Sequence, residues 1–180
     1  MTRFFLVRHA ESPWTPDNSR ELSGPGRTAA GALVSQLANT DIGRIYSSPY
    51  VRAVQTVQPL AMARGLVVEQ AAELRECYFG DLGAVAFEDA ARLAWSDFDV
   101  HWPGGESPRA AQQRVVGFVA RLAAQRPARP LLLSSHGTLL TLLLNAFDAS
   151  IGYDYWKSLL HPDVIRLDYH GIRRTTIARI

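Results

Sequence analysis

Phe4-Phe5-Leu6-Val7 is a short, unbroken apolar run flanked by Arg3 and Arg8. Alternation disappears when neither face of a strand meets water, so this run predicts a strand buried on both sides. Residues 12–25 contain Pro13, Pro16, Asp17, Asn18, Gly24 and Pro25 and read as a loop. A helix is expected over Arg27 to Leu37, then a second strand at Ile45-Tyr46-Ser47-Ser48. Ser48-Pro49 has the form of an N-cap followed by proline in the first turn, where the missing N–H costs nothing. It predicts a helix from Pro49 to about Ala63, stopped by Gly65, with Leu66-Val67-Val68 as a third strand.

From Ala71 to Gly105 the pattern weakens. Phe79-Gly80-Asp81-Leu82-Gly83 and Trp102-Pro103-Gly104-Gly105 look like loops, with a helix at Phe87 to Trp95 between them. Ser107 to Gln125 is amphipathic, placing Val115, Phe118, Val119 and Leu122 on one face. Leu131 to Ser135 predicts a buried strand and Gly137 to Phe147 the helix after it. Val164 to Tyr169 alternates, His170-Gly171 turns, and Thr175 to Ile180 extends, which together predict a terminal hairpin. Strands alternating with helices imply an α/β protein: a three-layer α/β/α sandwich around a mainly parallel, mixed sheet. Ligands of such sheets bind beyond the carboxyl ends of the strands.

Composition narrows the classes. The chain has 180 residues, a length expected of one domain over 1–180, with 47% hydrophobic and 20% charged residues, as in globular proteins. Cys77 is the only cysteine, which excludes an internal disulfide and a cysteine-cluster zinc site and suits a reducing compartment. Nineteen Lys+Arg against 17 Asp+Glu leave a net charge of +2, too balanced for a nucleic-acid or membrane-surface binder. Trp14, Trp95, Trp102 and Trp156 are scattered and form no stacking stripe. No apolar run approaches the ~20 residues of a membrane span, and the N-terminal run is too short for a secretory signal, so a cytoplasmic protein is expected. Lys157 is the only lysine, and on composition alone the arginine excess reads as codon bias.

The chemistry gathers where strands end. Arg8-His9-Ala10-Glu11 follows the first strand, Ser47-Ser48-Pro49-Tyr50-Val51-Arg52 the second, and Ser135-His136-Gly137 the strand at 131. One histidine at a strand end is ordinarily structural; two histidines and two arginines at the same edge are another matter. Guanidinium forks bind phosphate oxygens and keep their charge. A neutral imidazole can attack phosphorus, a second can stabilise the charge that develops, and a carboxylic acid of raised pKa can protonate the leaving oxygen. Helix starts after Pro49 and Gly137 would add N–H groups to an anion site. No His-Glu-x-x-His or similar metal spacing occurs. The pattern points to phosphoryl transfer through a phosphohistidine, with no metal or cofactor required.

Five segments carry a resemblance. Phe5-Leu6-Val7-Arg8-His9-Ala10-Glu11-Ser12, Ser47-Ser48-Pro49-Tyr50-Val51-Arg52-Ala53-Val54-Gln55-Thr56, Leu74-Arg75-Glu76-Cys77-Tyr78-Phe79-Gly80-Asp81, Pro103-Gly104-Gly105-Glu106-Ser107 and Ser134-Ser135-His136-Gly137 resemble, in order, the motifs of the histidine phosphatase (phosphoglycerate mutase-like) superfamily. The resemblance implies that fold, with His9 as the phosphorylated nucleophile. Arg8, Arg52 and His136 would grip the phosphoryl group, and Glu76 would be the general acid and then base. Glu73 is a rival whose bland reading is a solvated loop carboxylate. Glu106 is either a pocket-edge hydrogen bond to substrate or, preferred here, a partner of the dipole where the Ser107 helix begins.

The chain also departs from the family. Ala10 stands where glycine is usual, and Thr15 follows Trp14 where many members carry a phosphate-binding asparagine, so its hydroxyl would donate instead. The first loop lacks the aspartate-proline step of the mutases, and the chain is shorter than theirs. The expectation is therefore a compact phosphatase acting on a phosphorylated small molecule or a phosphoprotein. Alternatives are a protein phosphohistidine or phosphoserine phosphatase, a mutase-type phosphotransferase, and a non-catalytic phosphoryl-binding regulator. His101, His161 and His170 lie in no motif, and nothing marks Cys77 as an activated thiolate. Oligomeric state is open, with Trp156, Leu159 and Leu160 as core or interface.

Overall fold

The first strand, β1 (Thr2–Arg8), has other strands on both sides and helices on both faces, as its unbroken apolar run predicts. The computed structural model describes residues 1–15, 19–171 and 175–180; Pro16, Asp17 and Asn18 of the expected first loop lie outside them. β1 pairs in parallel with β4 (Leu131–Ser135) and antiparallel with β5 (Asp163–Tyr169). With β2 (Arg44–Ser47), β3 (Val68–Gln70) and β6 (Thr176–Arg179) it forms a six-stranded mixed sheet in the order β3-β2-β4-β1-β5-β6. The first four strands of that order are parallel; β5 and β6 are the antiparallel hairpin expected at the end of the chain.

The two-residue period of a strand sorts the core into two layers. Phe5, Val7, Ile45 and Leu132 face Leu33, Val57 and Leu60 from α1 (Gly24–Gln36) and α2 (Val51–Arg64). Phe4, Leu6, Leu131 and Leu133 face the other way, towards α4 (Pro108–Ala124) and α5 (Gly137–Asn145). α3 (Phe87–Ser96) and α6 (Tyr153–Ser158) complete that layer, which makes the α/β/α sandwich. Gly137 to Leu144 are buried all round, so α5 is an interior helix whose N-terminus opens at the carboxyl edge of the sheet.

Several element boundaries differ from expectation, each for a visible reason. α1 starts at Gly24 rather than Arg27: the Ser23 hydroxyl accepts from the Gly26 N–H at 2.9 Å, and Pro25 fits the first turn. What reads as loop punctuation is a helix start. α2 begins at Val51, two residues after Pro49, with Tyr50 as its N-cap and no side-chain cap bond. The Ser48 hydroxyl is engaged elsewhere, as shown below. Gly65 does end α2, in a left-handed conformation (φ 62°), and that turn occupies Leu66 and Val67, so β3 begins at Val68. α5 ends at Asn145, short of Phe147. The six-residue α6 is too short for periodicity to reveal. Among the described residues, no helix is long and apolar enough to cross a membrane.

Candidate active site

β1 delivers Arg8 and His9 to the carboxyl edge. The strand's pairing runs on one residue, His9 N–H donating to Ser135 O at 3.0 Å. The imidazole is then fixed by Nδ1, which lies 2.8 Å from Ala10 O. A carbonyl can only accept, so Nδ1 carries the proton and Nε2 keeps a lone pair. Ala10 is itself held by its N–H to Thr56 Oγ1 at 2.9 Å. Its backbone has no positive φ, so alanine costs nothing where the family usually has glycine. Burial pushes the pKa of His9 well below its ordinary value, aided by the Arg52 charge; the ring is neutral at pH 7.

Three further groups converge on that lone pair. Arg52, from the first turn of α2, donates through Nε to His9 Nε2 at 3.2 Å and lies over the Tyr50 ring, 4.9 Å from its centroid. Burial lowers its pKa to about 10, which leaves it cationic. His136 caps α5, its ring centroid 5.2 Å from that of His9, and its Nε2 lies 2.8 Å from Ser48 Oγ. Ser48 Oγ accepts from Tyr50 N–H at 3.3 Å, and among the described residues His136 Nε2 is the partner that can accept its proton; with that proton on the Ser48–Nε2 bond, Nδ1 is the donor nitrogen. That bond is what takes Ser48 away from capping α2. Arg8 is anchored by one nitrogen to Leu159 O at 2.7 Å. Arg8 Nε, one terminal nitrogen of Arg52 and His136 Nδ1 are all buried, and none has an acceptor among the described residues. Buried donors without acceptors are costly, and three beside the His9 imidazole form a socket for an anion with several oxygens.

Glu76 lies beside them. Its carboxyl accepts from Cys77 N–H (2.9 Å), Leu139 N–H (2.9 Å) and Thr138 N–H (3.2 Å). The N-terminus of α5 therefore serves Glu76, not the substrate anion that the sequence suggested. Burial raises the Glu76 pKa in spite of those three bonds and the Arg8 charge. Glu73 turns away to pair with Arg121. Glu106 does not line the cavity, which corrects its reading as a substrate contact. It pairs with Arg114, whose other bonds go to Glu73 O (2.6 Å) and Arg75 O (3.1 Å). Trp102 N–H to Phe79 O (2.9 Å) and Glu106 N–H to Tyr78 O (2.8 Å) complete a clamp on the loop that carries Glu76. The approach is so close that a Cβ at Gly105 would lie 2.1 Å from Phe79 O. Burial pushes the Cys77 thiol far up, so it stays protonated and inert.

Arg8, His9, Arg52 and Glu76 open onto a cavity of about 740 Å³, and Thr15 and Trp14 stand on its wall. His136 forms the buried back of the socket, 0% exposed. Two basic lining residues had no signal in the sequence: Arg20 and His161. His161 donates from Nδ1 to His9 O at 3.1 Å, and its ring centroid is 5.2 Å from that of His9. The antiparallel return into β5 brings it there, and no local pattern reports such a return. Gly137 touches the same machinery: a Cβ there would lie 3.1 Å from Arg8 Nε. Gly137→Ala is expected to displace the guanidinium and raise KM for a phosphomonoester by about tenfold, read from initial rates.

The family described as histidine phosphatase superfamily (branch 1) matches residues 4–175. The chain belongs to the histidine phosphatase superfamily. Glucosyl-3-phosphoglycerate phosphatase of Mycobacterium tuberculosis is 32% identical over 163 residues, covering 78% of this chain and 73% of its own. Phosphoserine phosphatase 1 of Hydrogenobacter thermophilus is 29% identical over 150 residues, covering 76% and 71%. A solved structure of mycobacterial glucosyl-3-phosphoglycerate phosphatase with VO3 superposes with a TM-score of 0.80 at 29% identity, covering 99% of this chain and 98% of that one. The histidine phosphatase fold expected of the five segments is therefore the fold of this chain.

Proposed function

We propose that this histidine phosphatase hydrolyses phosphorylated small molecules through a phosphohistidine on His9, with Glu76 as proton donor and then acceptor. The observation that carries the reading is the lone pair of His9 Nε2 set among three buried, acceptorless donors on Arg8, Arg52 and His136. A phosphoryl group supplies their acceptors and presents phosphorus to the lone pair. On binding, Arg52 Nε gives up its bond to His9 for a phosphoryl oxygen, which frees the nucleophile.

His9 Nε2 then forms the N–P bond while the P–O bond to the leaving group breaks. The electron pair goes to the leaving oxygen, which takes its proton from Glu76. The now ionised Glu76, steadied by three N–H groups, takes a proton from water as the water oxygen attacks phosphorus and the N–P bond breaks. Phosphate leaves, and His9 and Glu76 are restored. Thr15, on the cavity wall, is the side chain placed to donate to the phosphoryl group in place of the family's asparagine. Two relatives of this chain are named as phosphatases of phosphorylated small molecules, and one was solved with VO3, a phosphoryl mimic.

The direct test is to quench the enzyme during turnover of a ³²P-labelled alkyl phosphate. Label is expected on the peptide bearing His9, stable to base and released by acid, as a phosphoramidate is. Turnover with no protein-bound label, or with label elsewhere, overturns the reading.

A further inference from the structure

The phosphoryl socket occupies one end of the cavity, and the rest of its lining has a different chemistry. The cations that line it are Arg8, Arg20 and Arg52. All three belong to the socket end: Arg8 and Arg52 by the contacts above, Arg20 because its charge bears on Arg52 and His136. The wall beyond Glu76 is different. It is built from Tyr78, Phe79, Leu82, Phe87 and Trp156, and no charged side chain among the described lining residues stands with them.

This wall is not incidental apolar surface. Tyr78 and Phe79 stand two and three residues after Glu76, so the wall starts near where the leaving oxygen would take its proton. Phe79 and Phe87 lie nearly parallel, 22° between planes at 6.2 Å, and Phe87 meets Trp156 at 6.3 Å. The three rings come from three elements, the clamped Glu76 loop, the start of α3 and α6. α3 and α6 are tied behind the rings: Tyr153 OH and Lys157 both donate to Glu88, and Arg92 lies over the Tyr153 ring at 4.8 Å. Phe87 nevertheless stays 57% exposed and Tyr78 60% exposed. Phe79 is buried behind them and backs the wall, while Phe87 and Tyr78 are large rings left open to a partner that covers them.

We infer that the leaving group of the natural substrate carries a flat, uncharged apolar body that rests on Phe87 and Trp156, with Phe79 stacked behind Phe87, rather than a carboxylate or a polyol. The inference rests on the phosphatase reading for the position of the phosphoryl group. It goes beyond that reading by naming what is attached. A carboxylate beyond the ester oxygen would face rings with no cation, while an apolar body would lose its water there.

The test compares 2-phenylethyl phosphate with phosphoserine and glycerol 3-phosphate, all esters of primary alcohols, so that leaving-group acidity does not decide the result. For the wild type, kcat/KM for the phenylethyl ester is expected to exceed both others by about tenfold or more, the effect of burying several apolar carbons. Phe87→Ala, at an exposed position, is expected to cut that preference by about tenfold, and Trp156→Ala likewise. A wild-type preference for phosphoserine or glycerol 3-phosphate overturns the inference. So does a preference that survives both substitutions. If none of the esters is hydrolysed, the phosphatase reading fails. The wall is then judged alone, by calorimetry with 2-phenylethylphosphonate against methylphosphonate: tighter binding of the first, lost in Phe87→Ala, upholds it, and equal binding overturns it.

Discussion

His9→Ala is expected to lose at least about 10⁴-fold in kcat/KM on an alkyl phosphate, because it removes the atom proposed to bond phosphorus. The variant should still bind inorganic phosphate, since Arg8, Arg52 and His136 keep their donors. Its stability change has a readable cause. Without the ring, the buried Ala10 carbonyl loses its donor and Arg52 Nε loses its acceptor. Two such losses cost about 1–3 kcal/mol each, a melting temperature several degrees lower at about 2–4 °C per kcal/mol. Phosphate restores an acceptor to Arg52, so added phosphate should raise the melting temperature of His9→Ala at least as much as that of the wild type. Initial rates and thermal melts with and without phosphate check both halves. A variant that keeps more than about one part in a hundred of the activity would remove His9 from the nucleophile's role.

Much of this site can be read along the chain because its parts lie next to strong local signals. β1 and β4 are unbroken apolar runs, so Arg8, His9 and His136 stand at ends that periodicity alone locates. Arg52 follows Ser48-Pro49 closely enough that the error in the start of α2 did not displace it. What escaped has physical reasons. Ser48 has the right residue type for a cap, but its hydroxyl is taken by His136, a partner 88 positions away. Glu106 satisfies a helix-start rule and a pocket-edge rule equally well; only Arg114, one side chain reaching two carbonyls of the Glu76 loop, shows what it does. His161 enters through the antiparallel return of β5 and through Arg8 reaching Leu159 O, contacts that span more than 150 residues. The N-terminus of α5 has the form of an anion site, and the group it holds is the chain's own Glu76 carboxyl.

That last placement gives the second large effect. A carboxyl buried enough to have its pKa raised, yet held by three N–H groups, can be an acid in one step and a stable carboxylate in the next. Glu76→Gln keeps the size and most of the backbone bonds but cannot exchange a proton. With an alkyl phosphate, whose oxygen leaves poorly without a proton, kcat is expected to fall by about 10²–10⁴-fold. With an aryl phosphate the leaving phenolate needs no proton, so His9 should still be phosphorylated and only the attack of water should be slow. The expected trace is a burst of about one phenolate per enzyme, then a slow phase. The pH profile separates the two groups by sign. Activity requires neutral His9, whose pKa is lowered, so it is lost as pH falls through that value; it requires protonated Glu76, whose pKa is raised, so it is lost as pH rises through that one. The wild-type optimum therefore lies between those two values, and Glu76→Gln should abolish the alkaline limb while leaving the acid limb in place. A variant that keeps both limbs, or slows alkyl and aryl esters equally without a burst, would move the proton-transfer role to another group in the cavity, with His161, whose ring centroid lies 5.2 Å from that of His9, the first candidate.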